Sequence, residues 1–168
     1  MPTASFGVTF DAIKRDLKIL ILGPYRPNSA ETRLFAVKDH LIRHGYESAK
    51  VVADFADEPR YHQDPDIHFL LKSKDYIKNW ADVLIFVLFT ASDNQGVCSE
   101  MQTTCEKVEE KVHFSYVLYE EGITLSTLVK GEVKAARITS NTFEDDRELC
   151  ELAKGFCTDV AYQRLAAS

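Results

Sequence analysis

Short apolar runs of strand length alternate along this chain with longer segments in which apolar residues recur every three or four positions. The first kind predicts strands and the second helices. Lys18 to Leu22 (KILIL) is a first strand, ended by the breaker pair Gly23-Pro24. A helix capped by Asn28 or Ser29 follows to about His44, with Leu34, Val37, Leu41 and Ile42 at helical spacing and Gly45 as its stop. Glu47 to Phe55 predicts a second strand, and Asp57 to Pro65 a loop. Asp66 to Trp80 predicts a helix whose buried stripe is Ile67, Leu70, Leu71, Tyr76 and Ile77. Asp82 to Phe89 (DVLIFVLF) carries unbroken apolar residues after Asp82, the mark of a strand buried on both faces. Thr90 to Gly96 is a polar loop, and Val97 to Val112 a helix. Then come a strand at Phe114 to Tyr119, a short helix at Ile123 to Lys130, a strand at Lys134 to Thr139, and a helix from Phe143 to about Arg164.

This alternation implies right-handed crossovers and a parallel sheet. The predicted architecture is a flavodoxin-like (Rossmann-like) three-layer α/β sandwich with five parallel strands in order 2-1-3-4-5. Residues 1–17 form an N-terminal extension and 18–168 a single domain. In such sheets ligands bind outside the carboxyl ends of the strands, at the switch point. That rule selects two loops, Gly23 to Asn28 and Thr90 to Gly96.

Composition narrows the field. Hydrophobic residues at 45% and charged residues at 27% belong to an ordinary globular chain, against disorder or fibrous repeats. No apolar run reaches about 18 residues, so no membrane-spanning helix is expected, and the charged N-terminus is no secretory signal, which makes the cytoplasm the expected location. The net charge of −6 argues against a nucleic-acid surface. Cys98 and Cys105, like Cys150 and Cys157, are seven residues apart, with no Cys-x-x-Cys pair; buried or half-buried free thiols are expected. His40 and His44 share a helix face without a third ligand, so no metal is expected.

The first loop reads Gly-Pro-Tyr-Arg-Pro-Asn. It is neither a dinucleotide fingerprint nor a P-loop, and it lacks the Ser/Thr-rich phosphate loop a flavin would favour, so no cofactor is expected. Gly23 permits close backbone approach to a ligand, and Pro24 beside it is a further candidate substrate-binding residue; Tyr25 offers a ring and a hydroxyl, and Arg26 can pair with a phosphate or carboxylate. The plainer reading is a turn with an exposed arginine. In the second loop, Asp93 lies on the strand side, Gly96 lets the chain fold back, and Glu100 is placed in or near the first helical turn, where the helix dipole keeps it ionised. Two carboxylates at a switch point match glycosyl transfer, one meeting a sugar C1 with oxocarbenium character and the other managing protons or hydroxyls. The plainer reading is a helix cap and a first-turn decoration.

Strand one followed by Gly23-Pro24-Tyr25, the Ala81-Asp82-Val83-Leu84-Ile85 strand start, and the downstream segment Asp93 to Glu100 resemble the nucleoside 2-deoxyribosyltransferase-like superfamily, over roughly the first two-thirds of the chain. The resemblance implies cleavage or transfer at the N-glycosidic bond of a nucleoside, nucleotide or NAD, with Glu100 as nucleophile, Asp93 as acidic partner and Tyr25 as the aromatic residue of the first loop. It implies a looser match of Asp75 to an aspartate that contacts sugar hydroxyls. It also implies a homo-oligomer, an expectation supported by the apolar Leu149, Leu152, Phe156, Val160 and Tyr162 of the last helix. The segment Asp93 to Glu100 is one residue longer than is typical, and Met101 and Gln102 replace the usual glycine continuation. Val97-Cys98-Ser99-Glu100 is also similar to the Trp-Cys-x-x-Glu segment of TIR domains, which implies the same bond type and the same glutamate. The alternative function is a non-catalytic nucleotide-sensing or protein-interaction module of that fold.

Overall fold

The computed structural model describes residues 7–57 and 61–168. Its elements run α1 (Phe10–Asp16), β1 (Ile19–Leu22), α2 (Asn28–Arg43), β2 (Ala49–Val51), α3 (Pro65–Asn79), β3 (Val83–Leu88), α4 (Gln95–Lys107), β4 (Ser115–Glu120), α5 (Thr127–Ala135), β5 (Thr139–Phe143) and α6 (Asp146–Ala167). All neighbouring strands pair in parallel, in the order β2-β1-β3-β4-β5. The fold is therefore the expected flavodoxin-like one.

The apolar run of β3 splits by pleat. Val83, Ile85 and Val87 join the core beneath α2 and α6, while Leu84, Phe86 and Leu88 join the core beneath α3 and α4. A strand with a core on each face cannot show hydrophobic alternation, which is why its sequence is continuous. At its N-terminal end, the Asp82 carboxylate accepts a hydrogen bond from the Lys18 amide at 3.0 Å and pairs with Arg164 at 3.1 Å. Asp82 thus ties β1, β3 and α6 together at the N-terminal end of the strands, opposite the candidate site. Gly45, at φ 93°, ends α2 in the left-handed conformation that glycine accepts freely.

Several elements depart from the sequence pattern. The second strand is only Ala49–Val51; Val52–Asp54 turns into a 3-10 segment because the Asp54 carboxylate accepts from the Val51 amide at 2.9 Å and pairs with Lys38 at 3.0 Å. α4 stops at Lys107, and Glu109–Phe114 forms a separate 3-10 segment. From it, Lys111 donates to the carbonyls of Ile77, Lys78 and Ala81 at the end of α3. The helix expected at Ile123 to Lys130 is Thr127–Ala135, begun by Ser126, whose side chain accepts from the Val129 amide. The strand expected at Lys134 to Thr139 lies later, at Thr139–Phe143. Its residues Thr139 to Thr142 are all exposed, since β5 is an edge with little cover on either face, so it carries no apolar pattern to find.

α3 is rotated from its predicted orientation. Ile67, Leu70 and Leu71, expected inside, are exposed together with Phe69, while Lys72, Ser73 and Ile77 are buried. Tyr76 is half-buried and stacks on Phe55. Burial of Lys72 is possible because its ammonium donates to the Phe55 carbonyl at 2.6 Å and to Asp57 at 2.8 Å. Most of the apolar surface of α6 is used within the chain: Leu149 and Val160 enter the core, the half-buried Phe156 stacks on Tyr116, and Tyr162 stacks on Phe10 of α1 at 4.4 Å while staying largely exposed.

Candidate functional site

The carboxyl ends of β1 and β3, where the chain reverses direction across the sheet, open into a cleft of about 460 Å³. Gly23, Pro24, Tyr25 and Arg26 form one side, Pro65, Asp66 and Phe69 of α3 the second, and Asp93, Gly96, Val97 and Glu100 the third. The sequence-selected loops meet here.

Gly23 makes the junction possible. A Cβ there would lie 2.6 Å from Leu34 Cδ2 and 3.0 Å from the Val87 carbonyl oxygen, so any side chain would force the Leu34 side chain to shift and press on the β3 backbone, and glycine lets the loop pass closely between α2 and β3. Tyr25 then turns its ring edge-on to Phe69, with centroids 5.3 Å apart. Its hydroxyl is buried without a hydrogen-bond partner. Burial raises its pKa, helped by the charges of Glu100 and Asp54; the nearby backbone of Ala53 and Val52 offsets this in part without reaching hydrogen-bond geometry. Arg26 is exposed at the rim.

The loop after β3 is shaped by residues the sequence reading passed over. Asn94 folds back on Phe89, accepting from its amide at 3.2 Å and donating to its carbonyl at 2.9 Å. Glu120 accepts from the Thr90 amide and hydroxyl, both at 2.8 Å, and takes both ends of the Arg33 guanidinium, which lies 4.0 Å over the Phe89 ring. The Arg33 interaction holds the Glu120 carboxyl below the usual range. The tight backbone position is Ala91, at φ 55°, and not Gly96. Gly96 sits inside the first turn of α4, and a Cβ added to it would meet nothing within 4 Å. Its contribution is open space at the cleft wall. Asp93 is exposed and accepts from the Gln95 amide at 3.1 Å, at the start of α4.

Glu100 corrects the sequence expectation most. α4 begins at Gln95, so Glu100 lies in its second turn, beyond the strongest part of the helix dipole. It is 6% exposed, at the floor of the cleft, and Ser73 Oγ donates to its Oε1. Burial pushes its pKa up to about 7, with the Ser73 hydrogen bond opposing. The carboxyl is poised between its two forms at neutral pH instead of being held ionised.

Asp75 is not brought to the cleft; it accepts from Tyr61 and from Asn79 on the flank of α3. Ser73, two positions before it, is the α3 residue that hydrogen-bonds Glu100, and an isolated serine in an apolar-looking helix gives no pattern to find it by. Phe69 and Asp66 were missed because the sequence assigned the inner face of α3 to other positions. His68 accepts from the Tyr61 amide and lies 3.2 Å from Asp57, outside the cleft lining. His40 and His44 stack at 4.3 Å, His40 being 3.3 Å from Glu151. Among the described residues no group of three or more His, Cys, Asp or Glu could hold a metal ion. All four cysteines are free, Cys157 buried and the others half-buried. Burial raises the Cys98 thiol pKa, overriding its place near a helix N-terminus.

No protein-family model matches this chain, and no curated protein does. Among solved structures it is similar to the metal-soaked Flv1 flavodiiron core from Synechocystis sp. PCC6803, at 10% identity and a TM-score of 0.54, over 88% of this chain and 36% of that one. At that identity the likeness speaks to the shared fold alone. Among the described residues no helix is long and apolar enough to cross a membrane.

Proposed function

We propose that this chain cleaves or transfers the N-glycosidic bond of a nucleoside, nucleotide or NAD, with Glu100 as the nucleophile. The observation that carries this reading is a single buried carboxyl at the floor of a switch-point cleft, with Oε1 engaged by Ser73. The second oxygen is left for a ligand. Around it the cleft presents the carboxyls of Asp66, Asp93 and Glu100 against the one guanidinium of Arg26. That balance favours a reacting centre on which positive charge develops, as at the C1 of an oxocarbenium-like sugar. Developing charge beside Glu100 would also favour its ionised form. Arg26 at the rim suits a phosphate on the sugar, and Asp93 is placed to accept hydrogen bonds from hydroxyls.

The chain is proposed to act as a homo-oligomer, in the cytoplasm. The support is not α6, most of whose apolar face packs within the chain although Tyr162 is largely exposed. It is the exposed row Ile67, Phe69, Leu70 and Leu71 on α3, which adjoins the cleft through Phe69.

The alternative is a nucleotide-sensing or protein-interaction module. The missing glycine after Glu100 favours it: Met101 and Gln102 follow that glutamate, where the resembling enzymes have a Glu-x-Gly continuation. Incubation with NAD and the common nucleosides and nucleotides, scoring free base by chromatography, separates the two. Base release that Glu100→Gln abolishes supports the enzyme. Binding without release by the unaltered chain replaces it with the sensor.

A further inference from the structure

A second cleft, of about 540 Å³, opens on the other side of the β3–α4 loop. Its volume lies within the range of small-molecule sites. Asp93 lines both clefts and forms the ridge between them. The second is lined by apolar groups, Leu88, Ile123, Leu125 and Val129, and by the Cys98 thiol. Its remaining lining is neutral and polar: Ser92, Asn94, Gln95, Thr124 and Ser126. The only charged residue among the described lining is the Asp93 carboxylate.

We infer that this cleft is a subsite for an uncharged nitrogen heterocycle bearing N–H donors. The lining weighs against anionic and against purely aliphatic ligands. Phosphate and carboxylate ligands find no cation here and would face Asp93. Asn94 and Ser126 are already engaged by the Phe89 backbone and the Val129 amide, but a purely aliphatic ligand would leave the Gln95 amide, the Thr124 hydroxyl and Asp93 unmatched. A flat, neutral ring fits both parts of the lining. Its faces rest on Ile123, Leu125 and Val129, its edge meets the amides and hydroxyls, and an N–H or amino group reaches Asp93. The identity of the ring as a nucleobase or nicotinamide rests on the glycosidic reading above; the chemistry of the lining stands without it. Under that reading, the sugar lies over Glu100 in the first cleft and a base lies beyond the Asp93 ridge.

Cys98 provides a readout independent of activity. Its alkylation in the intact chain is followed by peptide mapping at mildly alkaline pH, with adenine, guanine, cytosine, uracil and nicotinamide as probes. Cys105 and Cys150, also half-buried, are internal controls. At a base concentration about ten times its dissociation constant, Cys98 alkylation is expected to slow roughly tenfold while the controls keep their rates. Thr124→Trp, at an exposed position of the lining, fills the cleft and is expected to remove the protection without lowering the melting temperature. Should alkylation be too slow to follow, amide shift changes at Thr124, Ser126 and Val129 on titration with the same bases report the same occupancy. If none of the five bases protects Cys98 or moves those amides, or if all three thiols are slowed alike, the subsite is overturned. Protection of Cys98 in a chain that releases no base from any nucleoside leaves the subsite standing and removes the glycosidic reading. Base release without protection does the reverse.

Discussion

Ser73 and Glu100, 27 residues apart in sequence, are joined by a hydrogen bond from the serine hydroxyl to carboxyl oxygen Oε1 across the contact of α3 with α4. Ser73 is fully buried, so its hydroxyl has no water to compete for it. The bond favours the ionised carboxylate, against the burial that disfavours it. Removing it with Ser73→Ala is expected to raise the Glu100 pKa above about 7 and to move the rising limb of the activity profile to higher pH. The loss of rate should therefore be larger at pH 6 than at pH 9. A loss of equal size at all pH values would mean that Ser73 acts on packing alone.

Glu100 itself is expected to cost stability at high pH. Its pKa is raised in the fold to about 7 from 4.5, so the unfolded chain releases this proton first as pH rises. The folded state is therefore penalised progressively between these two values, and fully above the upper one. Glu100→Gln removes the penalty, on the order of a few kcal/mol, while its amide oxygen can still accept from Ser73. The variant should melt higher than the unaltered chain above pH 7, the difference vanishing below pH 4.5. Base release should fall by roughly 10²-fold or more. Thermal scans across this range would reject the buried-carboxyl picture if the two melting curves ran parallel.

The two cleft glycines should respond in opposite ways. Gly23→Ala drives a methyl into Leu34 and the Val87 carbonyl, and is expected to cost about 1–3 kcal/mol of stability. Gly96→Ala meets open space inside a helix and is expected to leave stability unchanged or raise it by up to about 1 kcal/mol. Its methyl narrows the first cleft, so ligand affinity should fall. Denaturant titration and equilibrium binding on the pair give the comparison; equal stabilities would contradict the close approach assigned to Gly23.

The exposed α3 row predicts the mode of assembly. Leu70→Asp and Leu71→Asp place charges on the exposed face of α3, so the monomer fold should survive. Light scattering should show the unaltered chain as a symmetric oligomer at micromolar concentration and the double variant as a smaller species. A monomer in both cases would reject the oligomer.

The carboxylate of Glu120 predicts an acid-side effect of the opposite sign from Glu100. Its pKa is lowered by Arg33, so the stability it contributes is present above the ordinary carboxylate range and lost as pH falls through the depressed value. Glu120→Gln should therefore destabilise the chain at neutral pH and converge with it in acid. The same substitution loosens the Thr90 anchor of the loop that carries Asp93.

The sequence alone indicated the parallel sheet and the two loops that meet at the cleft, with the fifth strand placed too early along the chain. Those follow from local periodicity and from crossover handedness, which act over one or two elements at a time. The pattern failed where burial is not apolar or where apolar residues are not buried. Lys72 and Ser73 go inside α3 because partners on Phe55, Asp57 and Glu100 satisfy them, and Ile67, Leu70 and Leu71 stay outside. β5 shows no pattern because an edge strand with little cover on its faces needs none. Glu100 was visible as a residue at the right place along the chain, but its state was not. A carboxyl's pKa depends on what surrounds it in three dimensions, and that was decided only when α3 closed over α4.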